Sequence, residues 1–104
     1  MLRARASHSD LRGWLVWGGL ACLDSYGSTG QIDLIPRRHF DFLESCRTYF
    51  ETERHFFAHA NYQPDVSLDR LDIYTLRWLS LRDYVPPRPH CFGKVAIVGH
   101  TPQR

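Results

Sequence analysis

Lysine is almost missing from this sequence: of thirteen Lys and Arg residues, only Lys94 is a lysine. The net charge is still only +2 over 104 residues, so there is no large single-sign field of the kind that gathers a polyanion, and no nucleic-acid partner is expected. The arginine bias is neutral evidence, although a guanidinium does match phosphate geometry. Cysteine is scarce as well. Cys22, Cys46 and Cys91 are odd in number and far apart, which fits neither a disulfide framework nor a Cys-x-x-Cys metal knuckle. Reduced thiols and a cytoplasmic location are expected. No run reaches the roughly 18 consecutive apolar residues of a membrane span, and the apolar stretch 14–22 is interrupted by Gly18-Gly19, so no membrane partner is expected. Arg3, Arg5 and Arg12 stand among small residues near the start, but Ser9-Asp10 and the lack of a cleavage-like site argue against a signal peptide. Internal repeats and low-complexity tracts are absent too.

What is present is globular. The chain is 43% hydrophobic and 13% aromatic, enough for one compact core at this length and too short for two independent domains. Spacing over residues 1–17 predicts one or two helical pieces stopped by Gly18-Gly19, followed by a turn-rich loop over 25–30. Pro36 suits a first helical position, with Phe40, Leu43, Cys46 and Arg47 forming a stripe behind it. The aromatic runs 49–52 and 55–60 flank a short polar break and predict a hairpin. A helix over 71–81 is expected to carry Tyr74, Trp78 and Leu81 on one stripe, with Asp69 or Asp72 near its start. The tryptophans are assigned to the core. After the proline-broken loop 83–91, residues 94–98 read as a buried strand that runs into Gly99-His100-Thr101-Pro102.

Two histidines share one arrangement. His59 follows His55-Phe56-Phe57-Ala58 and His100 follows Val95-Ala96-Ile97-Val98-Gly99, so each closes a hydrophobic strand where a sheet rim can present an imidazole. The small neighbours Ala58, Ala60 and Gly99 leave room for a bound group. At 41 positions apart the pair is no close-spaced metal motif. His8, His39, His55 and His90 have no paired spacing and are assigned surface or structural roles. Asp65, Asp69, Asp72 and Asp83 read as ordinary loop and helix-start aspartates.

The segments Phe56-Phe57-Ala58-His59-Ala60-Asn61-Tyr62 and Val98-Gly99-His100-Thr101-Pro102 resemble the fourth and fifth signature blocks of the phosphoprotein phosphatase superfamily, the calcineurin-like metallophosphoesterases. The similarity extends in the same order to Trp14-Leu15, Gly18-Gly19, Leu23-Asp24-Ser25-Tyr26-Gly27 and Leu76-Arg77-Trp78, and so covers nearly the whole chain. The bacterial branch of that superfamily includes protein phosphatases of the bacteriophage lambda type and symmetrical diadenosine tetraphosphatases. The resemblance implies an α+β chain, residues 1–104 forming part of an αββα-sandwich metallophosphoesterase domain. It implies that His59 and His100 are ligands in a site for two divalent metal ions (Mn, Fe, Zn or Ni), where imidazole donors suit the metals and carboxylates complete the shells. The implied activity is hydrolysis of a phosphoester or phosphoanhydride by metal-activated water, on a phosphorylated protein or a dinucleoside polyphosphate.

This sequence departs from the family pattern in two ways. Where lambda-like members have a phosphate-gripping arginine two positions after the helix tryptophan, this chain has Ser80, which leaves Arg82, or Arg77, to reach inward. Arg82 is taken as the candidate substrate contact, and Asn61, next to His59, as a candidate pocket residue. In addition, the family's Gly-Asp-x-His-Gly, Gly-Asp-x-x-Asp-Arg-Gly and Gly-Asn-His-Glu blocks do not occur here. They would supply the remaining ligands and the acid. The chain by itself is therefore expected to be inactive, and the reading frame is expected to encode Gly-Asn-His-Glu within about five residues upstream of Met1 and to stay open past Arg104, as the resemblance implies. The competing expectation is a small non-catalytic protein, or a decayed relative acting as an interaction module, in which both histidines are structural. A Cys/His zinc module would need clustered ligands that the sequence lacks.

Overall fold

The structure, a computed structural model, describes residues 1–28 and 30–103; Thr29, inside the expected 25–30 loop, and Arg104 lie outside the described residues. The chain forms two compact units, Met1–Cys46 and Arg47–Arg104. Where one core was expected, buried apolar residues collect in two clusters, one within each unit.

The first unit is helical. Helix α1 (Leu2–Ala6) stops at Ser7, whose extended backbone lets its hydroxyl accept the Asp10 amide and cap α2 (His8–Trp14). As expected, the helical run breaks at the glycine pair, and a separate helix begins beyond it. Through the wide turn Leu15–Gly19 the backbone leaves helical geometry at Trp17 and Gly18, and it resumes as α3 (Leu20–Asp24). Gly18 takes φ 102°, where a side chain would be strained. A Cβ on Gly19 would stand 2.6 Å from the Trp14 ring and carbonyl, so this glycine allows the turn to close on the tryptophan. A 3-10 turn, Ile32–Leu34, leads to α4 (Arg37–Ser45). Pro36 sits just outside α4 with extended ψ, and Arg47 falls beyond its end, so the expected stripe shortens to Phe40 and Leu43. Phe40 packs with Ala4, Leu23, Ile32 and Ile35, and Trp14 and Leu15 border that core.

The second unit is built on a three-stranded sheet, β1 (Tyr49–Glu51), β2 (His55–Ala58) and β3 (Val95–Val98), in the order β1-β2-β3. The expected hairpin forms: β1 and β2 are antiparallel with Phe50 opposite Phe57, and the turn is closed by the Thr52 amide donating to the His55 carbonyl at 2.8 Å. Strand β3 joins β2 in parallel, His55 opposite Val95 and Ala58 opposite Val98. A parallel partner requires a long crossover, and residues 59–94 supply it with a 3-10 turn, Leu68–Arg70, and α5 (Ile73–Arg77). The only lysine ties the start of β3 to the hairpin, since Lys94 donates to the Glu51 carboxylate and the Thr52 carbonyl, both at 2.7 Å.

Helix α5 is shorter than the expected 71–81 segment. Asp72 sets its start by accepting the Thr75 amide at 2.8 Å, and Trp78 leaves helical geometry at φ −130°. Tyr74 and Trp78 point outward, and the inward residues are Leu76, with Leu68 and Leu71 from the preceding turn, around the fully buried Phe56. Of the tryptophans, only Trp14 packs against a core; Trp17 is 87% exposed and Trp78 63%. Hydrogen bonds from the Thr75 amide, then from its hydroxyl, hold the Asp72 carboxyl below its ordinary value of 3.8. A depressed carboxyl stabilises the fold above its unfolded pKa and loses that contribution as pH falls through the folded value. Asp72→Ala is expected to lower the melting temperature of the second unit at pH 7 more than Asp72→Asn does. The Ala penalty should shrink on acidification, as a series of melts from pH 7 to pH 2 would show.

Strand β3 is a strand as expected, but it is not buried. Val95 and Ile97 are exposed and Ala96 and Val98 half-buried. The pleat explains this: Phe56 and Ala96 face the core, whereas Phe50, Phe57 and Ile97 form one row on the other face, with Val95 beside them. That face is apolar and open, Phe50 being 52% and Val95 58% exposed. The observed class is mixed α+β, helices with a small mixed sheet.

Candidate metal centre

Parallel pairing of β2 and β3 carries both strand-end histidines to the same rim. Beyond Ala58 and Val98, the Gly99 amide donates to the His59 carbonyl at 2.9 Å, one last bond before the strands part. There His59 Nε2 lies 3.1 Å from His100 Nδ1, with ring centroids 5.0 Å apart and tilted at 64°. One nitrogen of this contact must donate and the other accept, so at least one ring offers a lone pair at the rim. His100 holds its place at φ 58°, the only non-glycine in the left-handed region among the described residues. Such a conformation costs about 1–2 kcal/mol and is found disproportionately at functional positions.

The electrostatics favour the neutral form of His59. Partial desolvation, then the His100 ring, then the Arg77 cation push its pKa below the ordinary 6.5. Neutral imidazole is the form that ligates a metal. Because the folded value is depressed, the neutral form contributes to stability above pH 6.5, and that contribution is lost as pH falls through the lowered value. A proton NMR titration is expected to show His59 titrating below 6.5, and His100→Ala should raise that midpoint.

Two donors at right angles on an ion with bonds of about 2.0–2.1 Å are about 3.0 Å apart, and tetrahedral donors about 3.4 Å apart. The observed 3.1 Å falls between, so the separation of the two nitrogens is compatible with one shared ion once the rings turn their lone pairs toward it. Two imidazoles do not complete a shell. Among the described residues no group of three or more His, Cys, Asp or Glu side chains gathers at one point.

The other candidates lie around this pair. Asn61 is fully buried, its Nδ2 donating to the Tyr84 carbonyl at 2.8 Å and its Oδ1 accepting the Tyr62 amide at 2.9 Å. Both ends of the amide serve the fold and the side chain is wholly covered, so a substrate could reach Asn61 only if that cover opened. Ser80, at the departure from the family pattern, bonds the Thr101 hydroxyl at 3.1 Å; that hydroxyl also accepts the Leu81 amide at 2.9 Å. This knot ties the turn after α5 to the residue following His100. Arg82 is exposed and lines a cleft of 440 Å³ with Leu81, Val85, Thr101, Pro102 and Gln103. Arg77, the alternative, is the arginine whose charge reaches His59. Trp78 was assigned to the core by its size, yet its indole stands edge-on to His100 at 6.1 Å and is mostly exposed. Its place directly before the Ser80 turn was the available signal.

Comparison with protein-family models, with curated proteins and with solved structures finds no match.

Proposed function

We propose that this chain belongs to a two-metal metallophosphoesterase of the serine/threonine phosphatase type, in which His59 and His100 share one divalent ion. The supporting observation is the pair of facing ring nitrogens, 3.1 Å apart at the ends of adjacent parallel strands, close to the edge of a coordination shell. When bound, a pair of such ions would polarise a phosphoryl group and activate water. The residues of this chain have narrower roles. Strands β2 and β3 fix the donors, Arg77 helps keep His59 unprotonated, and the exposed Trp78 and Arg82 flank the rim where substrate would lie. The αββα sandwich, a cytoplasmic setting and a phosphorylated protein or dinucleoside polyphosphate as substrate belong to the same proposal. Because two imidazoles leave a shell incomplete, further ligands must come from elsewhere, and the chain alone is inactive on this reading. The test is Mn-dependent hydrolysis of p-nitrophenyl phosphate by the chain joined to its upstream reading frame. Turnover that chelation and His59→Ala both abolish supports the proposal. An upstream frame that closes at once, or a metal-loaded longer chain without turnover, overturns it.

A second reading, a non-catalytic interaction module, is favoured by the open sheet face of Phe50, Phe57, Val95 and Ile97. Such a face on a monomer should bind a hydrophobic dye, and a fluorescence titration of the chain is expected to show this. A sharply melting, non-dye-binding monomer would argue against any missing cover.

A further inference from the structure

His90 was set aside in the sequence, yet it is only 2% exposed. Its ring packs among those of Phe56, Tyr62 and Phe92, with centroids 5.1, 6.0 and 5.1 Å away. Nε2 lies 2.8 Å from the Val66 carbonyl, and the Phe92 amide reaches Nδ1 at 3.4 Å. A carbonyl can only accept and an amide N–H can only donate, so Nε2 carries a proton and Nδ1 a lone pair. A buried polar ring used at both ends is held firmly, because moving it would strand a carbonyl and an amide away from water.

The segment that His90 occupies is stitched to the one following β2. The Cys91 amide donates to the Pro64 carbonyl at 2.7 Å, the Tyr62 hydroxyl to the Arg88 carbonyl at 3.2 Å, and Arg88 pairs with Asp65. Of the side chains making these contacts, His90 is the buried one, while Arg88 and Asp65 are largely exposed. Residues 62–66 leave the end of β2 just after His59, and residues 88–93 lead through Lys94 into β3. Together with Lys94, which ties the start of β3 to the hairpin, the stitch helps fix where the long crossover ends and β3 begins.

That point matters because the residues of β3 specify their own register weakly. A buried face normally prevents slippage, since a shift of one residue turns the apolar set outward. In β3, Val95 and Ile97 are already outward and exposed, and the inward side chains are only Ala96 and Val98. A slip of one residue would cost little in burial, yet it would bring Gly99 or Thr101 to the place of His100.

We infer that His90 is a positioning residue: by anchoring the entry to β3 it sets the register of β3 on β2, and with it the spacing of the His59–His100 donor pair. The inference rests on the reading of that pair as metal ligands. The experiment uses the full chain and three variants, His90→Gln, His90→Asn and His90→Leu. The carboxamide nitrogen of Gln reaches the position of the imidazole Nε2 and can keep the donation to Val66, whereas the shorter Asn places its oxygen at the Nδ1 position and can keep only the local bond from Phe92, and Leu can do neither. Two quantities are read under conditions where each protein is folded: Co(II) affinity from its visible absorption, and hydrogen exchange of the Gly99 amide, which depends on register and not on metal. His90→Leu and His90→Asn are expected to weaken Co(II) binding by about 10–100-fold, as loss of an outer support for a ligand does, and to expose the Gly99 amide. His90→Gln should stay within about threefold of the parent, well below that range. Unchanged Gly99 protection in His90→Asn overturns the inference even if the His90→Leu protein does not fold, and so does a His90→Gln protein as impaired as the other two. In a parent chain whose two donors alone hold no Co(II), Gly99 exchange decides the inference by itself, and the metal reading is decided by the chain joined to its upstream frame.

Discussion

Alanine at His59 or at His100 is expected to weaken divalent-metal binding by more than about 100-fold, above the 10–100-fold typical of losing an outer-shell partner, since a donor itself is removed. The fold should survive both changes. Each ring is exposed at the rim of the sheet, outside the cluster around Phe56. Removing His100 also removes a left-handed side chain, although alanine at φ 58° keeps most of that strain. Co(II) titration followed by absorption, with circular dichroism as the control for folding, separates the two effects. In the longer, active chain, metal content and turnover should fall together. Near-normal turnover of the His100→Ala protein at limiting metal would remove the ligand assignment. Replacing His8, an exposed histidine of the first unit, should leave affinity unchanged.

Phe56→Ala is expected to destabilise the second unit severely, to the point of unfolding it where its stability lies at the lower end of the usual range. Its side chain is fully buried and central to the cluster with Leu68, Leu71 and Leu76, and its ring meets those of Tyr62 and His90. Truncating such a phenylalanine costs about 3–5 kcal/mol. At about 0.05–0.15 kcal/mol per residue, a unit the length of Arg47–Arg104 has about 3–9 kcal/mol in total, so the loss consumes from about a third to all of it. Near-ultraviolet circular dichroism and a thermal melt would show the missing or strongly lowered transition. A cooperative melt lowered by only a few degrees would mean that the cluster is not the core of this unit.

The hairpin was legible because two aromatic runs around a polar break have few other ways to pair. Strand β3 was legible as a strand, whereas its exposure was not. A continuous run such as Val95-Ala96-Ile97-Val98 reads as doubly buried, and which face is covered depends on elements elsewhere in the chain. The helix at 71–81 was drawn too long because Tyr74, Trp78 and Leu81 have helical spacing. The cap at Asp72 and the break at Trp78 instead leave Leu76 to fill the core. For the site, the strand-end positions of His59 and His100 were visible, but the facing of their rings follows from parallel pairing across a long crossover, which no local pattern encodes. His90 was missed for the same reason. Its burial comes from a stitch to residues 64–66, and only the neighbouring Phe92 hinted that its surroundings were apolar.

The order β1-β2-β3 also has a consequence for how the chain is made. The hairpin emerges from the ribosome first, and the edge of β2 that will receive β3 stays open until the entire crossover has followed. At about 5–20 residues per second that interval lasts seconds, while a hairpin closes within about 10 microseconds. Throughout it, a nascent chain displays Phe56 and Phe57 beside unpaired backbone, a surface that a neighbouring nascent chain on the same messenger could add to. Polysome spacing and chaperone supply, rather than the equilibrium stability of the finished sheet, would then set the yield of folded protein.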